Sequence, residues 1–482
     1  MSGDSKSTAA PRQQTASLQG GSVRVGRQLL NQLGVSVVSK LIPLASIFIY
    51  SRYMSVADYG VLNLSQSYLW IFVLALSLNL HVSVGRYIYE PNAEEGPFLA
   101  STVIAVGMLF LMGSIGIYLT SDRLVSWLNL PFAAIMLMLA IVLGALAESL
   151  LTQLAIHDHR GGLLFLSLAS KASLSFMGCV ILLHVLAEKK YMAILLAESF
   201  ASVGLCFLLA YLLRKRIVWK PRKADMLYMA KYALPLIPYM LSLTLQSQFD
   251  RILLNRYYGN EVTGYYSLGY NIGALLMMAV SAALNALTPA FFDALNKGNT
   301  ERLKKDSDAI FNFAVIATAA IVLFGPDVAS LILPSRYQQG FNLIPVVALG
   351  GLCSVIFQSW IRVLAFEHRT FLISGIAVLG ATLSIGLNLW LLPKTGYQTA
   401  AYTALVTSLS MSFLCVAAVN WVSCVSITLW REMKWIILIG ALLPMSHFQP
   451  SLPLMLLKLP LLLGCIWSFR ETIRAFVFRR PA

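Results

Sequence analysis

Fourteen long apolar stretches dominate this chain of 482 residues and decide what it can fold into. Most are about twenty residues long, enough for an α-helix to cross the roughly 30 Å hydrocarbon core of a bilayer. Hydrophobic residues make up 58% of the chain and charged residues only 12%, too few to cover the surface of a soluble protein. The stretches also lack the alternation of barrel strands, so the backbone must be satisfied within helices. The sequence therefore predicts an all-α polytopic membrane protein.

The predicted spans cover residues 29–51, 62–84, 98–120, 131–155, 163–187, 192–213, 232–254, 262–287, 311–333, 341–365, 372–392, 398–423, 435–446 and 452–469. We expect the ninth to be interrupted at Gly325, Pro326 and Asp327. Residues 1–28 are polar and basic without an apolar core, which predicts a disordered tail rather than a cleaved signal peptide.

The distribution of Lys and Arg predicts the orientation. With a cytoplasmic N-terminus, 24 of the 36 basic residues fall in inside segments, 7 in outside loops and 5 within spans. Because cytoplasmic loops carry the excess of basic residues, both termini are predicted to be cytoplasmic. The same bias explains the net charge of +15 without a nucleic-acid partner. The basic block Arg214–Lys223 is interpreted as a cytoplasmic anchor between two halves, with Trp219 at the headgroup level.

Two segments 204 residues apart indicate an internal duplication. FIYSRYMSVADYGVLNLSQSY begins at Phe48, and QSQFDRILLNRYYGNEVTGYYSLGY begins at Gln246. The aligned pairs are Arg52 and Arg256, Tyr53 and Tyr257, Gly60 and Gly264, and Leu64 and Leu268. We expect the arginine and glycine pairs to belong to equivalent outer turns.

Each copy holds six spans, an even number, so the copies have the same orientation and form a parallel repeat. The predicted organisation is a tail (1–28), an N-terminal six-helix lobe (29–213), a basic linker (214–231), a C-terminal six-helix lobe (232–423), and two further helices with a cytoplasmic tail (424–482).

Ionisable residues inside membrane spans are costly and mark functional hypotheses. Eight fall within the predicted spans: Lys40, Glu148, Lys171, Glu198, Asp250, Arg251, Arg362 and Lys458. Lys40 lies near the middle of the first span, with Pro43 one turn later as a possible kink and hinge. It is expected to line a central cavity or to have a local structural partner.

Glu148 and Lys171 lie at equal depth on adjacent spans, which predicts an ion pair, with a substrate or proton role as the alternative. Glu198, near the outer end of the sixth span, is interpreted as a coupling group or as a carboxylate that faces the interface. Asp250 and Arg251 are consecutive, so their side chains point about 100° apart and cannot share one partner.

Two further basic residues lie near span ends or outside the duplication. Arg362 is a substrate-binding hypothesis or a side chain that snorkels to the interface. Lys458 lies in the terminal helices and is expected to be peripheral. Pro235 and Pro238, one turn apart in the seventh span, are predicted to bend it, as a hinge or as a static kink.

Known enzyme signatures are missing from the sequence. There is no P-loop or glycine-rich nucleotide loop, and no metal site is predicted. The six cysteines lie in or beside apolar runs and are interpreted as small buried thiols. No connecting segment is long enough to hold a sizeable aqueous domain.

Four features of the sequence resemble the Wzx-type polysaccharide-export flippases. They are RYMSVADYG after the first span, FDRILLNRYYGNEVTGYYSLGY around the seventh and eighth spans, the basic central segment, and the layout of six, six and two spans. These belong to the multidrug/oligosaccharidyl-lipid/polysaccharide exporter superfamily. The resemblance implies two six-helix lobes around a cationic cavity in the bacterial inner membrane. It also implies alternating access that moves undecaprenyl-diphosphate-linked oligosaccharide between leaflets for O-antigen, capsule or exopolysaccharide synthesis. No cofactor is expected, with H⁺ or Na⁺ as the coupling ion.

On this hypothesis the substrate is contacted by Lys40, Lys171, Arg251 and Arg362. Coupling or charge pairing is assigned to Glu148, Glu198 and Asp250. The hinges are Pro43, Pro235 and Pro238. The expected partners are the lipid-linked oligosaccharide, the bilayer, and a polysaccharide polymerase with a chain-length regulator. Two alternatives remain. A cation-coupled multidrug exporter of the same superfamily requires an acidic cavity, and a membrane glycan polymerase requires a large external loop or water-facing carboxylates.

Overall fold

The computed structural model describes residues 45–91, 93–158, 161–423, 425–447 and 452–469. Helices make up nearly all of these residues, and the described part contains no β-strand. Most of the first predicted span, with Lys40 and Pro43, lies outside the described residues.

The long helices follow the predicted spans in order. They are α1 (45–53), α2 (Val56–Ser77), α3 (Glu95–Leu119), α4 (Phe132–His157), α5 (Gly161–Val185), α6 (Tyr191–Leu213), α7 (Ile237–Gly273), α8 (Leu275–Asn296), α9 (Thr300–Ile332), α10 (Ile344–Phe366), α11 (Thr370–Thr395), α12 (Thr399–Val422), α13 (Trp430–Gly440) and α14 (Leu452–Ser468).

Among the described residues, nine helices are long and apolar enough to cross a membrane, or ten if the bent pair α7–α8 is one span. The two last helices are shorter, with 11 residues in α13 and 17 in α14. The predicted all-α polytopic architecture is confirmed.

Two predicted boundaries are corrected by local backbone chemistry. Helix α2 covers Val56–Ser77 rather than 62–84. It begins early because the Ser55 hydroxyl accepts a hydrogen bond from the Asp58 amide at 3.1 Å, which satisfies a free N–H of the first turn. It ends early because Leu78 and Asn79 adopt left-handed conformations with φ of 46° and 58°, which a helix cannot continue through.

The turn predicted after the seventh span is a single residue. Gly259, with φ of 81°, interrupts α7 and separates residues 237–258 from 260–273. Only glycine adopts this conformation without steric cost. The expectation that Gly60 and Gly264 belong to the outer turns is wrong. Both lie inside helices, about one helical turn after the connection that precedes them.

Gly60 and Gly264 mark the point where the two halves meet. A β-carbon added at Gly60 would overlap the carbonyl oxygen of Asn260, and one added at Gly264 would overlap that of Val56. Val56 and Asn260 are also 204 residues apart, so each contact is the image of the other. Reciprocal contacts of this kind are produced by a two-fold axis. They agree with the predicted parallel duplication.

The proline sites differ from expectation. Pro235 lies in a 3₁₀ turn, Leu234–Leu236, and Pro238 is the second residue of α7, so neither bends the interior of that helix. Helix α9 continues through Pro326, and the predicted interruption is wrong. A bend of 43° does occur, at Ala274 between α7 and α8, where the sequence signals none.

The basic linker is attached to the N-terminal lobe. Its helix, Lys223–Ala233, packs on that lobe, and Arg216 pairs with Asp158 and, at 3.3 Å, with Glu95. The hydrogen bond to Asp158 raises the pKa of the Arg216 guanidinium. We call this end of the molecule the linker face. The opposite end, formed by residues 53–55, 129–130, 258–260 and 333–342, is the clasp face.

Candidate functional site

A cavity of about 570 Å³ lies between the two lobes. Five helices of the N-terminal lobe line it, together with the bend region of α7 and α8. Its polar lining residues are Ser46, Tyr50, Tyr59, Asn63, Gln66, Glu148, Lys171, Ser175, Glu198 and Asn271. Three of the charged residues predicted from the sequence therefore lie together in one cavity.

Lys171 and Glu148 form the ion pair that their depth predicted. The Lys171 ammonium donates to Glu148 Oε2 at 2.7 Å. Helices α4 and α5 are adjacent and antiparallel, and both residues lie nine or ten positions from the connection between them. The lysine side chain is 15% exposed and the glutamate 39%, so Glu148 is the more accessible partner.

Glu198 reaches the same cavity from α6. The described lining thus contains one cation and two carboxylates. This balance differs from the strongly cationic cavity that the resemblance implies, although Lys40 lies outside the described residues. A further basic group, the Arg251 guanidinium, lies just behind the cavity wall.

Arg251 lies behind this wall in a polar network that joins the lobes. Its guanidinium donates to Gln248 Oε1 at 3.0 Å and to Asn271 Oδ1 at 3.2 Å, and stacks over the Tyr270 ring at 4.6 Å. The amide of Asn271 then donates to Tyr59 and Asn63, each at 3.1 Å. Because Asn271 lines the cavity, it connects Arg251 to that space.

Arg251 has unused hydrogen-bonding capacity. Its Nε is buried without a partner, and within the described residues no carboxylate lies at salt-bridge distance from its side chain. Asp250 points elsewhere, accepting hydrogen bonds from the Tyr266 hydroxyl and, at 2.8 Å, from the Arg251 amide. The consecutive charges therefore diverge, as their helical spacing requires.

Two predicted residues lie away from this cavity. Arg362 lies in a small cleft of the C-terminal lobe beside Ser307, 5.9 Å from the ring centroid of Phe291. Lys458 is not peripheral, and that expectation is wrong. It is fully buried and donates to Asp327 at 2.6 Å, because α14 packs against α9.

The sequence reasoning missed the uncharged polar residues. Asn63 and Asn271, with Tyr59, supply most of the hydrogen bonds between the lobes beside the cavity. Asparagine within an apolar helix was the available signal, because an amide group in a membrane requires partners.

The lobes are closed at the clasp face. Arg336 donates to the Ser51 carbonyl at 2.7 Å, Tyr337 to that of Met54 at 3.2 Å, and Asn129 to Asn255 at 2.9 Å. Further hydrogen bonds between the lobes, from Ser67 to Gln248 at 3.0 Å and from Asn271 to Tyr59 and Asn63, lie deeper beside the cavity. The cavity is therefore sealed toward the clasp face by direct contacts between the lobes.

The profile of the family described as "Polysaccharide biosynthesis protein" matches residues 26–295, more than half of the chain. This chain belongs to the polysaccharide biosynthesis protein family. Two Haemophilus influenzae proteins are similar over most of their length. A protein of the Lsg locus is 24% identical, covering 77% of this chain and 92% of the relative. An uncharacterized membrane protein is also 24% identical, covering 72% and 85%.

The fold of this family member recurs in solved transporter structures. The lipid II flippase MurJ, in an inward closed conformation, superposes with a TM-score of 0.68 at 13% identity, covering 91% of this chain and 99% of that one. An inward-facing multidrug resistance MATE family transporter of the MOP superfamily gives 0.58 at 15% identity, covering 86% and 95%. The fold that the resemblance implied is therefore confirmed.

Proposed function

We propose that this protein flips a polyprenyl-diphosphate-linked oligosaccharide across the bacterial inner membrane, from the cytoplasmic to the periplasmic leaflet. The observation that carries the proposal is the cavity between the lobes, which combines one ammonium group, two carboxylates and several amide and hydroxyl groups. Its volume is in the roughly 300–1,000 Å³ range of ligand sites. Membership of a polysaccharide biosynthesis family supports a glycan-bearing substrate.

Lys171 is the group proposed to receive the diphosphate. A charge in a low-dielectric region is costly unless it is paired, and Glu148 supplies the pairing to Lys171 in this structure. A diphosphate carries more negative charge and more acceptor oxygens than one carboxylate, so it can replace Glu148 as the partner of Lys171. Asn63, Gln66 and Asn271 then offer hydrogen bonds to sugar hydroxyl groups.

The direction of transport follows from the closed face. If the linker face is cytoplasmic, as its basic residues predict, the clasp face is periplasmic and the structure is closed toward the periplasm. Substrate then enters from the cytoplasmic leaflet. Opening the clasp and closing the linker face completes alternating access, with both termini remaining in the cytoplasm.

Coupling is assigned to the two carboxylates. When a diphosphate displaces Glu148 from Lys171, the released carboxylate needs a counter-charge, which H⁺ or Na⁺ can provide. Glu198 lines the same cavity and is the second site for such an ion. Exit of the diphosphate returns Lys171 to Glu148 and releases the ion.

The decisive experiment measures movement of a fluorescent polyprenyl-diphosphate oligosaccharide in proteoliposomes. Wild-type protein is expected to expose the inner-leaflet substrate to an external quencher, and Lys171→Gln to lose this activity by at least tenfold. Lys304→Gln, which changes an exposed lysine in the first turns of α9, is the matched control. Equal flipping by wild-type protein and Lys171→Gln would remove Lys171 from the site, and no flipping by wild-type protein under any gradient would contradict the function.

A second function, cation-coupled multidrug export, is favoured by one specific observation. Two carboxylates and one lysine line the described cavity, a balance that also suits a lipophilic cation. This hypothesis predicts gradient-dependent uptake of a lipophilic cation by the same proteoliposomes, and its loss in Glu198→Gln. Transport of the lipid-linked oligosaccharide without the cation would exclude it.

A further inference from the structure

A second cavity of about 440 Å³ lies on the outside of the N-terminal lobe, away from the cavity between the lobes. It is a groove between α3, α4 and α6, with its end at the linker segment. Its lining is mostly apolar, but Arg214 and Trp219 lie at the linker end and His81 lies in its wall. None of these residues takes part in the transport mechanism proposed above.

The groove opens toward the membrane. Helix α3 leaves several large apolar side chains exposed, among them Met108 and Leu111, and Phe207 on α6 is exposed as well. In a bilayer such side chains contact lipid. An occupant of the groove therefore comes from the surrounding leaflet rather than from water.

The groove spans part of one leaflet. Along α3 its lining extends from Thr102 to Phe110, which is about 12 Å of helix. Half of the hydrocarbon core is about 15 Å thick. A chain that starts at the headgroup level of the linker face fits this length and ends before mid-membrane.

Arg214 differs from its neighbours in the linker. Arg216 and Arg222 each pair with carboxylates. The Arg214 guanidinium stacks over Tyr211 at 4.0 Å and has no carboxylate partner among the described residues. An exposed guanidinium at the headgroup level, beside an exposed Trp219, suits an anionic phosphodiester.

His81 supplies an independent sign of a ligand. Its side chain is only 6% exposed, and its Nδ1 has no hydrogen-bond partner. Buried polar atoms in proteins are nearly always paired, so an unpaired ring nitrogen in a cavity wall needs a partner from outside the described chain. A lipid ester carbonyl or a glycerol hydroxyl would provide one.

We propose that this groove binds a glycerophospholipid of the linker-face leaflet with a net anionic headgroup. The phosphodiester lies at Arg214 beside Trp219, the glycerol region lies near His81, and one acyl chain passes Gly107. The proposal is independent of the transported substrate.

Gly107 provides a sharp test because it lines the groove and a β-carbon added there meets nothing within 4 Å. The β-carbon of Gly107→Leu therefore meets no protein atom, and the rest of the leucine side chain is expected to fill part of the groove. Gly116→Leu, on the same helix and equally open, is its control. Arg214→Gln removes the headgroup cation, and Lys215→Gln is the adjacent control outside the groove lining.

The measurement is native mass spectrometry of full-length protein with phosphatidylglycerol or phosphatidylcholine of identical acyl chains. Wild-type protein and both controls are expected to retain phosphatidylglycerol preferentially. Arg214→Gln should reduce its retention about fivefold, which corresponds to one basic residue at an anionic surface, and leave phosphatidylcholine unchanged. Gly107→Leu should reduce retention of both lipids.

Retention of phosphatidylglycerol at the wild-type level by both groove variants would overturn the proposal. Retention of a polyprenyl lipid in place of phospholipid, and its loss in Gly107→Leu, would also overturn it and assign the groove to the tail of the substrate. If Gly107→Leu failed to fold, the Arg214→Gln comparison would still decide the headgroup assignment.

Discussion

Gly60 and Gly264 occupy equivalent positions on two helices that cross at the axis between the lobes, each pressed against the main chain of the other helix. Neither site has room for a β-carbon, so the two helices can approach this closely only because both residues are glycines. Their contact lies on the clasp side of the cavity, where the proposed transport cycle requires the lobes to separate.

Gly60→Val is expected to force the lobes apart at the clasp face. Overpacking of this kind costs about 1–3 kcal/mol, and here it acts on the closed clasp. Cross-linking of Asn129→Cys to Asn255→Cys by a short bismaleimide reports closure, since the wild-type side chains are hydrogen-bonded at 2.9 Å. The valine variant should cross-link poorly, whereas Gly116→Val should cross-link like the wild type. Unchanged cross-linking in Gly60→Val would show that the helices do not meet there.

The charge swap Glu148→Lys with Lys171→Glu separates a structural pair from a substrate site. Each single substitution leaves an unpaired charge in the cavity and should destabilise the protein by about 1–2 kcal/mol, because Glu148 is partly exposed. The swap restores the pair, so thermal stability should return. Flipping should remain lost, since the ammonium has moved to α4. Recovery of flipping together with stability would indicate a purely structural pair.

Arg251→Lys should reduce transport about tenfold or more with the protein still inserted and folded. Lysine keeps the charge but cannot hold Gln248 and Asn271 in the guanidinium geometry, and hydrogen bonds to charged groups contribute about 1.5–3 kcal/mol each. The assay is flipping in proteoliposomes at equal protein content. Arg256→Lys, on the exposed side of the same helix, should be neutral. A fully active Arg251→Lys would show that charge alone suffices.

Lys458→Met should destabilise the protein by about 3–5 kcal/mol, because it leaves the Asp327 carboxylate buried and unpaired. Lys458→Met with Asp327→Leu should recover most of this loss, since an apolar pair of similar volume avoids desolvation of both charges. Thermal unfolding in detergent provides the comparison. If the double variant were no more stable than the single one, the pair would hold α14 through more than charge neutralisation.

The depth of Glu148 and Lys171 could be predicted because helical rise is uniform and their spans are adjacent. The burial of Lys458 could not, since it depends on which helix α14 packs against. The positions of the prolines show the same limit. Helix α9 continues through Pro326, while the bend occurs at Ala274, where the neighbouring Gly273 packs against α10. A local sequence signal gives a tendency to bend, and packing selects the residue.

By itself the sequence determined that the chain is an all-α membrane protein with a duplicated core, because apolar length and the 204-residue repeat depend only on local chemistry and chain order. It also singled out Glu148, Lys171 and Glu198 as candidate site residues, because an ionisable residue within an apolar span can be recognised from the sequence alone. Only the tertiary structure decided that these three line one cavity, that Arg251 lies behind it through Asn271, and that Gly60 meets the second copy. Those relations depend on which helix faces meet, and the hydropathy of a fully apolar helix does not indicate its partner.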